Sequence, residues 1–136
     1  MIKIKQSIKF GSTKREVNDL AHKIITKEKT ATSSLLDYYR EGLKEISSVD
    51  DYMSILDYDN NQIAIVRVIK TEIVKIGNIS ESFAIEEGDG SLANWKAIHY
   101  PYYCNQLSAI GKELKEDTEL VCEWFELVSM QDGLII

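Results

Sequence analysis

The sequence predicts an α+β fold in which helices are grouped between strands of a small mixed or barrel-like sheet. Three observations predict this class. A segment with helical period lies in the first quarter of the chain, and two β-branched segments joined by an Asp/Asn turn lie near its centre. The 136 residues contain one proline and no linker, so we expect a single domain over residues 1–136.

The first helix is predicted from about Lys14 to Lys27. Thr13 and Glu16 have the spacing of a capping box, and apolar side chains then recur on one helical face, at Val17, Leu20, Ala21, Ile24 and Ile25. The hydroxyl-rich residues 29–34 disfavour continued helix, so a loop or a short strand is expected there. Residues 35–46 are predicted to be partly helical.

The centre of the chain is predicted to form a β-hairpin. Residues 52–58 and 63–74 are rich in strand-forming side chains, and Asp59, Asn60 and Asn61 suit the turn between them.

Two helices and a strand are predicted after the hairpin. Ser91 is a plausible N-cap for residues 92–99, Pro101 is predicted to interrupt the helix, and a further helix follows Asn105. Residues 119–128 are predicted to form the closing strand.

The charge of the chain is unevenly distributed. The formal net charge is -6, but residues 1–29 carry eight basic and three acidic side chains, a balance of +5, and the rest carries -11. An acidic surface of that size opposes binding to a long nucleic-acid duplex. The basic side chains of the first helix either face solvent or provide a local approach to a pocket.

Neither a membrane span nor a metal is expected. The longest stretch without a charged residue, 97–111, has 15 residues and contains Pro101, so a cytoplasmic protein is predicted. Cys104 and Cys122 are isolated and are expected to be free, buried thiols that bind neither a metal nor another cofactor. A nucleophile pair between Cys104 and His99 is the weaker alternative.

Several polar segments lie between the predicted elements, and their order along the chain is distinctive. They include Phe10-Gly-Ser12, Lys29-Thr-Ala-Thr32, Phe83 to Leu92, Trp95-Lys-Ala-Ile-His99 and Val121-Cys-Glu-Trp-Phe125. With this ordered set, the chain resembles the ASCH domain, a relative of the PUA β-barrel, over about residues 10–128. The resemblance implies a PUA-like barrel with flanking helices and a cleft for RNA or a nucleotide. Residues 46–52 depart from the Pro, Gly and Asp usual there, so the adjoining loop, 40–49, is left unassigned.

A bacterial branch of the resembled family removes the acyl group from N4-acetylcytidine with a lysine, a threonine and a glutamate. The resemblance to its K-T-x-T motif implies Lys29 and Thr32 here, and the glutamate corresponds to Glu87. In this metal-independent amidohydrolase hypothesis, Thr32 is the nucleophile, Lys29 the base and Glu87 the acid or electrostatic support. A lysine acts as a base near neutrality only if its pKa falls by about three units from about 10.4, and Glu87 opposes that fall.

The preferred hypothesis uses the same segments for binding alone. Lys29 would hold a phosphate or carbonyl, Thr30 and Thr32 would offer hydroxyls, and Glu87 would accept hydrogen bonds from a base or ribose. The backbone N–H groups of the loop before the last helix would face an anion, at Gly88, Asp89, Gly90 and Ser91. The alternative is that Gly88 only ends one helix and Ser91 only caps the next.

Three further side chains complete the predicted site. Trp95, together with the tyrosines at 100–103, would offer a stacking face for a base, unless it is simply core. His99 would line the cleft or tie down the tyrosines. Arg67 lies within an apolar strand and needs either a pocket ligand or an ion pair, for which Glu123 is the preferred partner.

The expected partner is therefore RNA, a nucleotide or a modified nucleoside, with a small nucleoside or a short single strand preferred over a long duplex. A regulatory, non-catalytic interaction module with a vestigial pocket is the remaining alternative. Loss of acetyl groups from N4-acetylcytidine would identify the amidohydrolase. Binding of nucleosides or short RNA that Glu87→Ala abolishes would exclude the interaction module.

Overall fold

The computed structural model describes residues 3–130, so the ends of the predicted 1–136 domain lie outside the described residues. The α+β class is confirmed. The strands are β1 (Ile4–Ile8), β2 (Ala31–Leu35), β3 (Tyr52–Leu56), β4 (Gln62–Lys75) and β5 (Glu119–Met130). The helices are α1 (Lys14–Ile25), α2 (Leu36–Arg40), α3 (Glu81–Glu86) and α4 (Leu92–Ala109), with a short 3-10 turn at Ile76–Asn78.

The five strands form one mixed sheet in the order β1-β3-β4-β5-β2. β1 runs parallel to β3, and the other neighbours are antiparallel. The predicted hairpin is confirmed as β3 and β4, and the Asp57 carboxylate accepts hydrogen bonds from the turn N–H groups of Asp59 and Asn61. β1 was not predicted from the sequence, although its half-buried and exposed residues alternate as in a one-sided strand.

α1 begins as the sequence predicts and ends slightly earlier. Both hydrogen bonds of the Thr13/Glu16 capping box are present. The helix ends at Ile25 because Lys27 has a left-handed backbone, with φ of 66°, which stops helix propagation. This turn directs the chain into β2, where the hydroxyl-rich segment becomes a strand paired with β5.

One helical prediction is confirmed and another is wrong. Residues 35–46 are partly helical, as expected, with α2 at Leu36–Arg40, and residues 43–51 lack helix and strand. α4 continues through Pro101, which was expected to interrupt it. Proline removes one backbone hydrogen bond, but Trp95, Tyr103 and Leu107 are buried on either side of it and hold the helix against the sheet.

Two apolar cores lie on opposite faces of the β2–β5 part of the sheet. On the face covered by α3 and α4, buried side chains of β2 and β5 include Ala31, Leu35, Leu120 and Cys122. The other face carries Phe125 in a core with α1, β3 and β4. We call these the α4 face and the α1 face. Because strand residues alternate, neighbours in β2 or β5 point to different faces.

The cysteines are both free, but only one is buried. Cys122 lies in the core of the α4 face, and burial raises its thiol pKa to about 12. Cys104 is exposed on α4, so the expectation that both thiols are buried is wrong for this residue. Within residues 3–130, no helix is long and apolar enough to span a membrane.

Candidate functional site

Lys29 and Glu87 lie side by side, as the sequence hypothesis requires, but both are buried. Their exposed side-chain fractions are 5% and 3%, and the Lys29 Nζ to Glu87 Oε1 distance is 3.5 Å. Lys29 Nζ also donates to the carbonyl oxygens of Ala31 (2.8 Å) and Glu87 (3.2 Å), and it lies 5.1 Å from the centre of the Phe10 ring. The ammonium therefore joins the start of β2 to the end of α3.

Glu87 accepts hydrogen bonds at both carboxylate oxygens. Ser33 donates from its backbone N to Oε1 (3.2 Å) and from its hydroxyl to Oε2 (2.9 Å). The indole N–H of Trp95 also donates to Oε2, and His99 Nε2 lies 3.4 Å from Oε1. A carboxylate with this many donors is held in one position.

The charges of this pair are set by burial and by each other. Burial favours the neutral carboxylic acid, but Lys29, His99 and Trp95 together lower the Glu87 pKa to about 2, so Glu87 is ionised at neutral pH. Burial lowers the pKa of Lys29, although Glu87 and Asp89 oppose this shift. An ionised Glu87 has no proton to give, which argues against its predicted role as a general acid.

Thr32 does not join this pair. The Ser33 side chain contacts Glu87, so strand alternation places Thr32 on the opposite, α1 face, where it pairs with Glu123 of β5. Within residues 3–130, Thr32 forms no hydrogen bond with Lys29 or Glu87. The predicted arrangement of Lys29, Thr32 and Glu87 around one substrate atom is therefore replaced by Lys29, Ser33 and Glu87.

His99 lies between the two acidic groups at the outer side of the pair. Its Nδ1 is 3.0 Å from the Trp95 carbonyl and 3.6 Å from Asp89 Oδ2, while Nε2 faces Glu87. Burial lowers the pKa of His99, but Glu87, Trp95 and Asp89 outweigh burial and raise it. Burial also raises the pKa of Asp89, despite the opposing charge of His99.

Glu87, Asp89 and His99 place ligand atoms within 4.8 Å of one another, a spacing that a metal ion needs. Their geometry fits a protonated imidazole better. The two ring nitrogens of His99 face different carboxylates, Nε2 facing Glu87 and Nδ1 facing Asp89. A single metal ion could bind only one of these two nitrogens. The Lys29 ammonium, already 3.5 Å from Glu87, would also repel a cation.

In the loop from Gly88 to Ser91, at least two of the four backbone N–H groups serve to end a helix, as the capping alternative expects. The Gly88 and Asp89 N–H groups bond to Ile85 and Ala84 and complete the end of α3. Gly88 has φ of 93° and Gly90 has φ of 80°, a region that favours glycine. Ser91 accepts a hydrogen bond from Asn94 N and caps α4. The predicted anion-binding loop thus retains only the N–H groups of its second half.

Trp95 is not available for stacking on a base. The residue is fully buried, and the His99 ring stacks on it at 4.4 Å between ring centres and 15° between ring planes. Tyr103, also buried, bonds to the Ser33 hydroxyl at 2.7 Å. Trp95 and Tyr103 are therefore core residues, which is the alternative to a base-stacking role.

Arg67 forms an ion pair, as preferred, but with other acids, one of which, Glu126, also lines a cleft beside Lys29. Its guanidinium donates to Glu126 Oε1 at 3.0 and 2.7 Å and to the Asp50 carboxylate. The prediction that Arg67 pairs with Glu123 is wrong, because Arg67 lies opposite Glu126 in the β4–β5 register. Arg67 is also half-exposed, with 29% of its side chain accessible, and not buried as expected.

A cleft of about 250 Å³ lies beside Lys29 on the α1 face. It is bounded by the end of α1, the start of β2 and the middle of β5, and its lining residues are Ile24, Lys27, Lys29, Thr30, Phe125, Glu126 and Leu127. Its walls combine apolar side chains with the polar groups of Lys27, Lys29, Thr30 and Glu126, of which Lys27 and Glu126 are exposed. Small-molecule sites commonly combine apolar walls with a few polar groups. We call this the α1 cleft.

A larger hollow of about 380 Å³ lies between α2 and the segment after α4. It is lined mainly by charged residues, and Arg40 and Lys112 are paired there with Glu119 and Asp37. Since acids neutralise these bases, this hollow is a poor site for an anion.

Comparison with known proteins identifies the family. The profile of the ASCH domain family matches residues 6–129. The chain belongs to the ASCH domain family. The ASCH domain crystal structure from Lactobacillus crispatus has a TM-score of 0.85 at 27% identity, over 90% of this chain and 78% of that one. The comparison with curated proteins gives no match.

Two further ASCH-like structures place the fold. A crystal structure of a protein from Enterococcus faecalis V583 has a TM-score of 0.86 at 31% identity, over 96% of this chain and 79% of that one. A variant of the ASCH protein of Zymomonas mobilis has a TM-score of 0.52 at 9% identity, over 95% of this chain and 76% of that one, which supports the fold alone. The fold of this ASCH domain is therefore PUA-like.

Three contacts around the ASCH domain's Lys29/Glu87 pair and the α1 cleft were not predicted from the sequence, although Tyr103 was expected as part of a stacking face. Ser33 contacts Glu87, Tyr103 contacts Ser33, and Phe125 lines the cleft. The first and last of these follow from strand alternation once residues 31–35 are recognised as a strand opposite β5. No local pattern indicates that Tyr103 reaches β2, because α4 packs there through tertiary contacts alone.

Proposed function

We propose that this ASCH domain binds a nucleoside, a nucleotide or one nucleotide of a short single-stranded RNA in the α1 cleft, without catalysis. The observation that carries the proposal is the position of the cleft. It is bounded by the end of the basic α1 segment and by Phe125 and Thr30 of the sheet. At about 250 Å³ it lies below the usual range of drug-sized pockets, about 300–1,000 Å³, and suits a ligand the size of one nucleoside.

Charge supports an anionic or phosphate-bearing ligand at this cleft. Residues 1–29 have a balance of +5, and Lys27 from this segment is exposed at the cleft. The cleft also contains the Glu126 carboxylate, whose charge is paired with the Arg67 guanidinium. The remaining surface is acidic, which disfavours an extended duplex but does not oppose one small ligand beside a local cation. The ASCH resemblance, with its implied cleft for RNA or a nucleotide, points to the same ligand class.

The arrangement of the buried pair disfavours deacylation. Thr32 lies on the opposite face of β2 from Glu87, and the Lys29 ammonium is buried and bonded to the Ala31 and Glu87 carbonyls. A nucleophile, its base and a carboxylate must meet at one substrate atom for covalent catalysis. We therefore assign Lys29 and Glu87 a structural role behind the cleft.

Equilibrium binding measurements with cytidine 5′-monophosphate, adenosine 5′-monophosphate and the four nucleosides test the proposal. We expect at least one of these probes to bind, and Lys27→Gln to weaken monophosphate binding by about threefold, as for a surface charge contact below about 1 kcal/mol. Lys14→Gln, at the far end of α1, is the matched control and should leave binding unchanged. Absence of binding by all six probes would contradict the proposal.

The amidohydrolase alternative is tested in parallel with N4-acetylcytidine. We expect no release of acetate from this probe. Turnover that is lost in Lys29→Ala and Thr32→Ala variants would overturn the binding-only assignment, provided that circular dichroism shows both variants to be folded.

A further inference from the structure

The chain leading into β2 separates from β5 at the α1 cleft. The Phe125 N–H of β5 donates to the Thr30 carbonyl (3.0 Å), but the Thr30 N–H donates to the Glu86 carbonyl at the end of α3 (2.7 Å) and not back to Phe125. In a complete antiparallel pair, two residues joined in this way exchange both bonds. The Phe125 carbonyl therefore lacks the donor that a continuing strand would give it, and Phe125 lines the cleft.

The same edge of β5 continues to Leu127. On the far side of β4, the Val68 N–H and carbonyl bond to the backbone of residues 50–51, just before β3. Because backbone groups alternate between the two sides of a strand, the adjacent Arg67 turns its N–H and carbonyl toward its β5 neighbour Glu126. By the same alternation, Leu127 turns its N–H and carbonyl away from β4, toward the side that β2 has already left.

Three backbone groups therefore face the α1 cleft in a row: the carbonyl oxygen of Phe125, then the N–H and the carbonyl oxygen of Leu127. In the described part of the chain, no loop backbone group and no side chain bonds to these outward groups. Lys29, which also lines the cleft, donates to Ala31 and Glu87 instead. Backbone groups at a sheet edge need a partner, which is water or a ligand where no strand is present.

An added β-strand is a poor occupant for this edge, because the regular part of the edge is short. The β4–β5 register shifts just beyond the cleft, where Val66 and Ile65 lie opposite Leu127 and Ser129. A bulge of this kind twists the edge and ends regular pairing. A planar ring needs only the three groups in a row, and the cleft volume of about 250 Å³ suits one nucleoside.

We propose that this edge of β5 recognises the Watson–Crick edge of adenine, with the 6-amino group donating to the Phe125 carbonyl and ring N1 accepting from the Leu127 N–H. This inference rests on the proposed nucleoside binding and adds base selectivity to it. Unpaired bases are commonly read on this edge. Uracil and guanine present a carbonyl oxygen in place of the amine and an N–H in place of N1, so like groups would meet. Cytosine has the amine and the ring acceptor, but its second carbonyl would face the Leu127 carbonyl.

Two deaza analogues of adenosine separate this contact from general nucleoside binding, since each replaces one ring nitrogen by C–H. 1-Deazaadenosine loses the acceptor for the Leu127 N–H, and we expect it to bind about fivefold more weakly than adenosine, the effect of one hydrogen bond. 7-Deazaadenosine keeps the Watson–Crick edge, is the matched control and should bind like adenosine. Equal binding of adenosine and 1-deazaadenosine, or a loss confined to 7-deazaadenosine, would overturn the inference while leaving nucleoside binding intact.

Leu127→Pro removes the donor from the protein side. Proline is tolerated at a strand edge where its missing N–H faces away from the ladder, and in this variant the difference between adenosine and 1-deazaadenosine should disappear. Leu127→Ala keeps the N–H and should retain that difference. If Leu127→Pro does not fold, amide hydrogen exchange of the wild-type domain replaces it: saturating adenosine should slow exchange at Leu127 several-fold, and unchanged exchange there would overturn the inference. Failure of every nucleoside and nucleotide to bind would overturn both proposals.

Discussion

At the scale of single residues, Glu87 and Glu123 contrast two ways of burying a carboxylate. Glu87 is surrounded by donors from Lys29, Ser33 and Trp95, and its pKa falls to about 2. Glu123 retains an oxygen without a donor among the described residues, and burial raises its pKa. A satisfied buried ion pair fixes local structure, whereas a buried carboxylate oxygen without a donor carries a desolvation cost.

Glu87→Gln should destabilise the domain, and the loss should depend on pH. Removing one partner of a buried ion pair typically costs about 3–5 kcal/mol, because Lys29 is left as an uncompensated buried charge. The folded-state pKa of Glu87 is below its ordinary value of 4.5, so its contribution is complete above about pH 4.5 and is lost as the pH falls toward about 2. Urea unfolding of both proteins from pH 7 to pH 2.5 measures this difference.

Glu113→Gln is the control for that series, since Glu113 is exposed on the segment after α4. The control should unfold like the wild type at each pH. A wild-type advantage over Glu87→Gln that stays constant down to pH 2.5, or that is absent at pH 7, would show that the Lys29/Glu87 pair does not stabilise the fold.

The contact between Lys29 and Glu87 was predicted from the sequence, but the burial of the pair and the absence of Thr32 from it were not. The two residues were brought together by the family resemblance, and the 3.5 Å contact agrees. The side of β2 that Thr32 occupies could not be read from the motif alone, because a one-residue change of strand phase exchanges Thr32 and Ser33 between faces. Burial of the pair depends on α4, whose Trp95 and His99 cover Glu87 from a distant part of the sequence.

At the scale of elements, α4 shows how tertiary packing overrides a local helix-breaking signal. Pro101 lies inside the helix, yet Trp95 and Tyr103 are buried on either side of it and α4 remains continuous. Local propensity is a weak prior when a long helix packs on a sheet. The sequence pattern therefore predicted the N-cap of this helix correctly at Ser91, but it also predicted an interruption at Pro101 that does not occur.

Pro101→Ala should stabilise the domain. The substitution restores a backbone N–H that can bond within the helix, and it removes a ring whose presence in helix interiors costs about 3 kcal/mol or more. Because α4 has already adjusted to the proline, we expect a gain of about 1–2 kcal/mol, seen as a higher melting temperature. Ile98→Ala, at an exposed position of α4, is the control and should shift the melting temperature little. A lower melting temperature for Pro101→Ala would contradict this account of the helix.

At the scale of the whole molecule, the β2–β5 part of the sheet separates the α4 face from the α1 face, where we propose that the ligand binds. The α4 face carries the buried Lys29/Glu87 pair with Ser33, Trp95 and His99. The α1 face carries the α1 cleft and the buried Glu123 carboxylate. The hairpin, α1, the Ser91 cap and the closing strand were all predictable from local patterns. Which face each polar residue occupies was not, because it depends on the β2–β5 register, a long-range pairing.

Backbone amide chemical shifts during titration with cytidine 5′-monophosphate test this division most directly. If ligand binds in the α1 cleft, the largest changes should occur at Lys27, Thr30 and Phe125, with smaller changes at Gly90, Ser91 and Trp95. Changes concentrated at Gly90, Ser91 and Trp95, with Thr30 and Phe125 unaffected, would place the ligand at the Lys29/Glu87 pair and contradict its structural role.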